Sequence, residues 1–273
     1  MLQQINSYIK FLYHARNEHG VHSPFVFDLV TKCFYDTTKY SEYTILKNYR
    51  NSLSANKNTI EVTDFGAGSR VFKSNTREIS KIAKTAGISS KNAKLLFRIV
   101  RYFQPKEILE IGTSLGIATS ALSLGNTSSK LITLEGCPKT QNQCQLQLQK
   151  FNIKNVECIN TEFSSYLKNS QLRASNFELI YFDGNHSEKA TLEYFELLLP
   201  TITNNSVWIF DDIHWSAEME NAWEIIKKHP KVTVTIDTFQ WGIVFFRAEQ
   251  QKEHFIIQSS KNWTSNLFEK IRF

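Results

Sequence analysis

The stretch Glu107-Ile108-Leu109-Glu110-Ile111-Gly112-Thr113-Ser114-Leu115-Gly116-Ile117-Ala118-Thr119-Ser120-Ala121-Leu122 decides how the chain is read. Ile108 to Ile111 read as a short strand, Gly112 to Gly116 as a tight turn, and Ile117 onward as a helix, so a nucleotide-like ligand can sit where the strand ends. Glycine suits the turn because a side chain would block close approach of backbone to ligand. Glu110 finishes the strand on a carboxylate, which suits a cation. A G-x-G-x-x-G turn seats a pyrophosphate on the helix N-terminus; here the spacing is G-x-x-x-G with an acid before it, a pattern that favours a ligand with positive groups and no phosphate. The next strand, Leu131-Ile132-Thr133-Leu134, ends at Glu135, about 20 residues on, where α/β folds place an acid on ribose hydroxyls.

With two acids closing two neighbouring strands, the chain resembles the class I S-adenosylmethionine-dependent methyltransferases, and within them the branch similar to catechol O-methyltransferase, whose first motif reads like Glu110-Ile111-Gly112-Thr113-Ser114-Leu115-Gly116. The resemblance spans Lys94 to Arg247. It implies an α/β fold: a Rossmann-like, seven-stranded, mostly parallel sheet with a C-terminal antiparallel hairpin, to which the N-terminal third, sharing little with the family, adds an N-terminal helical cap. Val232 to Asp237 and Trp241 to Arg247, around Thr238-Phe239-Gln240, would form the hairpin. The resemblance also implies that Glu110, Gly112, Thr113, Ser114 and Gly116 hold the methionine end of the cofactor and that Glu135 holds its ribose. Asn160, Thr161 and Glu162 follow the strand Val156 to Ile159, where similar enzymes touch the adenine, and Thr161 is carried over from them. Ser89 and Ser90, opening the helix before the central strand, correspond to positions that line the pocket in relatives.

Two later apolar strands bring further acids. Phe177 to Phe182 ends in Asp183, and Val207 to Phe210 ends in the pair Asp211-Asp212. In a parallel sheet such ends gather at the ligand crevice, where adjacent carboxylates repel and a divalent cation resolves the repulsion. Oxygen ligands suit Mg²⁺, or Mn²⁺ or Ca²⁺, better than zinc. The competing reading is that Asp211 or Asp212 caps the following helix, since successive strand residues point to opposite faces. The metal-dependent O-methyltransferases carry a similar acid after the fourth strand and an acidic or Asp-Asn pair after the fifth. The resemblance thus makes Asp183, Asp211 and Asp212 the metal ligands, with Asp183 also in catalysis and the cofactor pocket. His186 stands where the catechol branch has a proton-accepting lysine; an imidazole with its ordinary pKa of ~6.5 can take that proton. A metal-ligand role or a helix cap are the other readings of His186, and His214 is a second candidate base. Trp215, Trp241 and Tyr181 would either wall an acceptor or fill the core.

Forty-one per cent hydrophobic residues and 20 Phe supply an ample core, and no apolar run approaches the ~20 residues of a membrane span. Residues 1 to 20 hold polar and charged groups throughout and lack a continuous apolar stretch, so no secretory pattern is expected. Cys33, Cys137, Cys144 and Cys158 follow no metal spacing and fit a reduced, cytoplasmic chain. The net charge of +6 is uneven: residues 1 to 100 hold 15 Lys and Arg against 7 Asp and Glu, residues 101 to 273 hold 17 against 19. The scattered N-terminal bases read as a solvated face, with an anionic partner as the alternative.

Leu2, Ile5, Ile9 and Leu12 recur at helical spacing, giving a first helix that ends near Gly20. Ser23-Pro24 opens a second. Such helices must pack on the core or on a partner subunit, which leaves a homodimer open. His14, His19 and His22 fall close together without an accompanying acid or thiol cluster, so surface or capping roles fit them. Val62-Thr63-Asp64-Phe65-Gly66-Ala67-Gly68-Ser69 mimics a cofactor turn, but no strand ending in an acid follows, and it reads as a turn of the cap.

The expected organisation is a cap over residues 1–88, a cofactor-binding core over 89–247 and a polar, basic tail over 248–273. The expected activity is transfer of a methyl group to a hydroxyl of a small molecule, with S-adenosylmethionine and a divalent metal. The alternatives are methylation of RNA, such as a tRNA base, and a cofactor-binding protein without turnover.

Overall fold

The computed structural model of the chain describes residues 2–63, 74–169 and 176–261. In chain order its elements are α1 (Leu2–His14), α2 (Pro24–Leu29), which runs into a π-helical turn at Val30–Phe34, α3 (Glu42–Ala55), β1 (Thr59–Glu61), β2 (Thr76–Glu78), α4 (Ile79–Thr85), α5 (Ser90–Phe103), β3 (Glu107–Ile111), α6 (Ile117–Gly125), β4 (Lys130–Glu135), α7 (Pro138–Lys150), β5 (Val156–Asn160), α8 (Phe163–Leu167), β6 (Leu179–Phe182), α9 (Glu188–Leu198), β7 (Val207–Asp211), α10 (Ala217–Lys228), β8 (Val234–Asp237), β9 (Trp241–Phe245) and β10 (Glu253–Ile256). They divide into two compact units, one of residues 38–185 and one of residues 1–37 with 186–273. The first 88 residues are therefore shared between the two units at Thr37 and Thr38.

In the unit of residues 38–185, β3 lies between β4 and β6, and β5 pairs with the outer edge of β4; all three pairings are parallel. Strands covered by helices on both faces need apolar residues at every position, and Ile108, Leu109, Ile111, Leu131, Leu134, Leu179 and Ile180 are all buried. α5 supplies one cover with Leu96, Phe97 and Val100. It begins where the Ser89 hydroxyl accepts the Asn92 N–H and ends at Gln104, whose left-handed backbone stops the helix one residue before Pro105. β1 and β2 pair antiparallel.

In the unit of residues 1–37 and 186–273, β7 and β8 each pair antiparallel with β9, and β10 runs parallel to β8. Tyr8 and Phe11 on the inner face of α1 close on Phe239, with ring centroids 4.8 and 5.5 Å from it. Ser23 caps α2 through the Val26 N–H, with Pro24 at the first helical position, as the sequence suggests. The antiparallel hairpin is β8 and β9. β10, which the expected strands did not include, lies within residues 248–273, expected to be a polar, basic tail without a motif. Of its four residues only Phe255 is buried, so an edge strand of this kind shows almost no hydrophobic alternation in sequence. The small β1–β2 ribbon was hidden in the expected helical cap for the same reason: neither three-residue strand has a buried position. The turn expected at Asp64 to Ser69 and the tail beyond residue 261 lie outside the described residues. No helix among the described residues is long and apolar enough to cross a membrane.

Gly242 of β9 lies against the buried indole of Trp223 on α10; a Cβ there would be 2.6 Å from the ring. Gly242→Ala should therefore cost ~1–3 kcal/mol by overpacking, read as a lower midpoint in chemical denaturation.

Candidate functional site

The unit of residues 38–185 gathers several of the sequence-expected cofactor residues at the C-terminal ends of its parallel strands. Gly112 and Gly116 have φ of +103° and +76°, conformations that glycine adopts without strain. A Cβ on Gly112 would clash with the backbone carbonyl of Asp183, and one on Gly116 would lie 2.5 Å from both the Cys144 Sγ and the Tyr49 Oη. The N–H groups of Gly112 and Thr113 both donate to the Leu134 carbonyl, at 3.0 and 3.1 Å. The turn is thus fastened to the end of β4 on one side and packed on the end of β6 on the other.

Glu135 is held by backbone. Its Oε2 accepts the Ser114 N–H of the turn and its Oε1 the Cys137 N–H, both at 2.9 Å. The Thr161 N–H donates to the Glu135 carbonyl at 3.0 Å, so Thr161 stands beside Glu135 where β4 and β5 end. Asp183 borders a small cleft together with Thr113, Ser114, Ala86, Gly87 and Ile88. The connection from α4 to α5 was not recognised as part of the site. Gly87 is pressed there by Ile117, whose Cδ1 would lie 2.5 Å from a Cβ on it, a contact that no sequence pattern marks. Ser89 serves as the cap of α5.

Glu110 differs from the expectation of a strand-ending carboxylate. β3 continues to Ile111, and Glu110 is fully buried inside the strand, with Oε2 accepting the hydroxyls of Thr119 and Thr133, each at 2.6 Å. Burial pushes its pKa up to about 8, against the pull of those two hydrogen bonds.

In the other unit, β7 ends on Asp211, which is 2% exposed, and Asp212 follows with φ +55°. The Gln240 side-chain amide donates to Oδ1 of Asp211 at 3.3 Å and hydrogen-bonds Oδ1 of Asp212, while the Asp212 N–H donates to the Gln240 carbonyl. Sequence reasoning missed Gln240 because a glutamine in a hairpin turn carries no pattern. Neither acid caps α10; that cap is Ser216. His186 is half-buried just before α9, whose cap is Ser187, so the helix-cap reading of His186 falls. His214 is fully engaged: Nε2 meets Asp237 and Nδ1 meets Glu220, both at 2.9 Å, and its ring stacks on Phe239. It is held as an ion-paired strut and is no free base. Trp241 and Tyr181 are core residues, whereas Trp215 is half-buried. Among the described residues no group of three or more His, Cys, Asp or Glu side chains comes together so as to hold a metal ion. Asp183 belongs to the unit of residues 38–185 and Asp211 and Asp212 to the other.

Gly112→Ala should both strain the turn and collide with Asp183, so cofactor affinity should fall at least tenfold while the circular dichroism spectrum stays native. For His214, burial opposes charge, but the hydrogen bonds and charges of Asp237 and Glu220 outweigh it and raise its pKa. A raised folded-state value means stability that is complete below the unfolded pKa of ~6.5 and is lost as pH rises through the higher folded value. The urea midpoint should fall between pH 6 and pH 8.5, and Asp237→Asn should flatten that fall.

The family model described as a methyltransferase domain matches residues 109–213. An O-methyltransferase from Bacillus cereus in complex with SAH aligns with a TM-score of 0.52 at 18% identity, over 76% of this chain and 91% of that one. The O-methyltransferase TomG from Streptomyces achromogenes, in complex with SAM, aligns with 0.53 at 14% identity, over 77% and 91%. An SAH-bound methyltransferase from Podospora anserina aligns with 0.56 at 14% identity, over 83% and 97%. No curated protein matches the chain in sequence. At these identities the likeness is one of fold. Residues 109–213 thus match a methyltransferase domain, and the chain shares the α/β, Rossmann-like fold of these methyltransferases.

Proposed function

We propose that the chain transfers a methyl group from S-adenosylmethionine to a hydroxyl oxygen of a small molecule. The observation that carries this reading is the bridge from the glycine turn to Glu135 through the Ser114 N–H. It joins the element suited to a methionine end to the acid suited to a ribose, beside a cleft that Asp183 borders. When bound, the cofactor supplies a methyl group on a positive sulfonium, so one in-line displacement suffices and no covalent enzyme intermediate is needed. The chain's task is to bind, orient and exclude water.

Backbone at Gly112 to Gly116 would hold the methionyl end, and Glu135, both of whose oxygens accept a backbone N–H, would hold the ribose hydroxyls. Ile82, Ala83, Ile88 and Ala118 give the cleft apolar walls, where a solvent-free reacting centre is favoured. Asp183 contributes a carboxylate at the rim, and His186, three residues on, is the proposed acceptor of the hydroxyl proton. The similar proteins from Bacillus cereus and Streptomyces achromogenes are O-methyltransferases, which supports oxygen as the acceptor atom. None of the four cysteines is in a disulfide, which suits a reducing cytoplasm.

Calorimetry with S-adenosylhomocysteine should give binding that Glu135→Ala weakens severalfold; no binding by the wild type would remove the proposal. Labelled cofactor offered with phenols, sugars and RNA should mark a small hydroxyl compound, and label on RNA alone would move the acceptor to nucleic acid. His186→Ala should lower turnover most at low pH. A divalent ion on Asp183, Asp211 and Asp212 is a separate reading that rests on their position after apolar strands. Turnover in EDTA equal to turnover in Mg²⁺ would exclude it, and loss restored by Mg²⁺ but not in Asp211→Ala would support it.

A further inference from the structure

Glu110 stands in register between Thr133 of β4 and Tyr181 of β6, and Thr133 is in turn level with Cys158 of β5. Residues level with one another in parallel strands point to one face of a sheet, so these four side chains form a buried polar row beneath the glycine turn. Thr119 of α6 and Thr133 both donate to one oxygen of Glu110, and its other oxygen, Oε1, is buried with no hydrogen-bond partner. From Thr133 the chain of hydroxyls continues to Thr113 of the turn, 2.5 Å away. The cleft itself is bordered by Thr113 and Ser114, one layer above.

A buried carboxylate needs a cation or a full set of donors. The titratable groups facing Glu110 supply neither: Asp183 from the end of β6, the thiols of Cys158 on β5 and Cys144 on α7, and the phenols of Tyr49 on α3 and Tyr181 on β6. Two hydroxyls on one oxygen and none on the other is the pattern of a carbonyl oxygen beside an acid O–H. The same burial that leaves Oε1 without a partner holds the pKa near 8, with Asp183 and Cys158 adding to the rise.

We infer that Glu110 acts as a neutral carboxylic acid, a positioning residue that sets the cofactor turn from beneath through Thr133 and Thr113 and pins the first turn of α6 through Thr119, without itself meeting the cofactor's positive groups. This rests on the methyltransferase reading above. Losing the proton would place an uncompensated charge in the row, whose relief requires the turn to shift. Cofactor affinity then falls with rising pH, although the cofactor is positively charged and a carboxylate that touched it would bind it better.

The test is calorimetry with S-adenosylhomocysteine from pH 6 to 9 on the wild type, Glu110→Gln, Glu110→Ala and Thr133→Val, with thermal unfolding from pH 5 to 8 alongside. Wild-type affinity should fall about tenfold between pH 7 and 9, the loss expected for a group that must keep its proton and titrates near 8. Glu110→Ala should bind at least tenfold more weakly than the wild type at pH 7. Glu110→Gln, uncharged and of the same shape, should rescue most of that loss and show no alkaline decline. Thr133→Val, which cuts the relay and leaves Glu110 in place, should weaken binding severalfold, and it serves where Glu110→Ala does not fold.

Because the folded-state value lies above the unfolded one, the wild type should lose stability relative to Glu110→Gln as pH rises from 5 to 8. A folded Glu110→Gln that binds no better than Glu110→Ala at pH 7, or a wild-type affinity that stays level to pH 9, overturns the inference. A wild type that binds at no pH overturns the methyltransferase reading. The inference is then decided by unfolding alone: a melting-temperature gap to Glu110→Gln that widens with pH upholds it, and a constant gap overturns it.

Discussion

Backbone meets backbone at Gly112. The residue after β3 sits so close to the carbonyl of Asp183, after β6, that no side chain fits between them, and its φ of +103° admits glycine alone without strain. The closeness depends on β3 and β6 being parallel and in register, with Ile111 level with Phe182, which in turn depends on strands apolar enough to be covered on both faces. Given that contact, the Gly112 and Thr113 N–H groups can reach Leu134 and the Ser114 N–H can reach Glu135. The ends of β3, β4 and β6 become one constrained surface.

The strand ends carry local strain where the turn chemistry demands it. Ser114, Asn185 and Asp212, all with side chains, have φ of +48°, +49° and +55°, following β3, β6 and β7 respectively. Each such residue costs on the order of 1 kcal/mol, and the neighbouring hydrogen bonds offset it: Ser114 through its bond to Glu135, and Asp212 through paired bonds of its N–H and carboxylate to Gln240. Strain of this kind persists where loops must present backbone groups to a ligand.

The sequence made legible what repeats or alternates. Apolar runs ending at Ile111, Leu134, Phe182 and Phe210 announced β3, β4, β6 and β7, and Ser23-Pro24 and Ser89 announced two helix starts through capping chemistry that acts within four residues. What stayed hidden depends on contacts remote in sequence. β10 is held by β8 and has a single buried residue, Gln240 matters only because a hairpin brings it to Asp211 and Asp212, and Gly87 matters because Ile117 lies over it. The depth of Glu110 was likewise unreadable, since one residue more or less at the end of a strand decides whether a side chain faces ligand or core.

Glu110 and Glu135 show how far environment separates two identical side chains on adjacent strands. Glu135 is the last residue of β4, with each oxygen accepting a backbone N–H, so it stands as an acceptor with its position fixed before any ligand arrives. Glu110, one residue before the end of β3, has a hydroxyl pair on one oxygen and no hydrogen-bond partner on the other. Hydrogen bonds to the charged form pull a carboxyl pKa down and burial pushes it up; at Glu110 burial is the larger effect, with the outcome near 8. The acid at the end of β4 is therefore tied to the glycine turn by backbone N–H groups, while the acid on β3 lies buried beneath that turn. The G-x-x-x-G turn, which borders the cleft above and rests on the Thr113–Thr133 pair below, is the layer through which they are coupled.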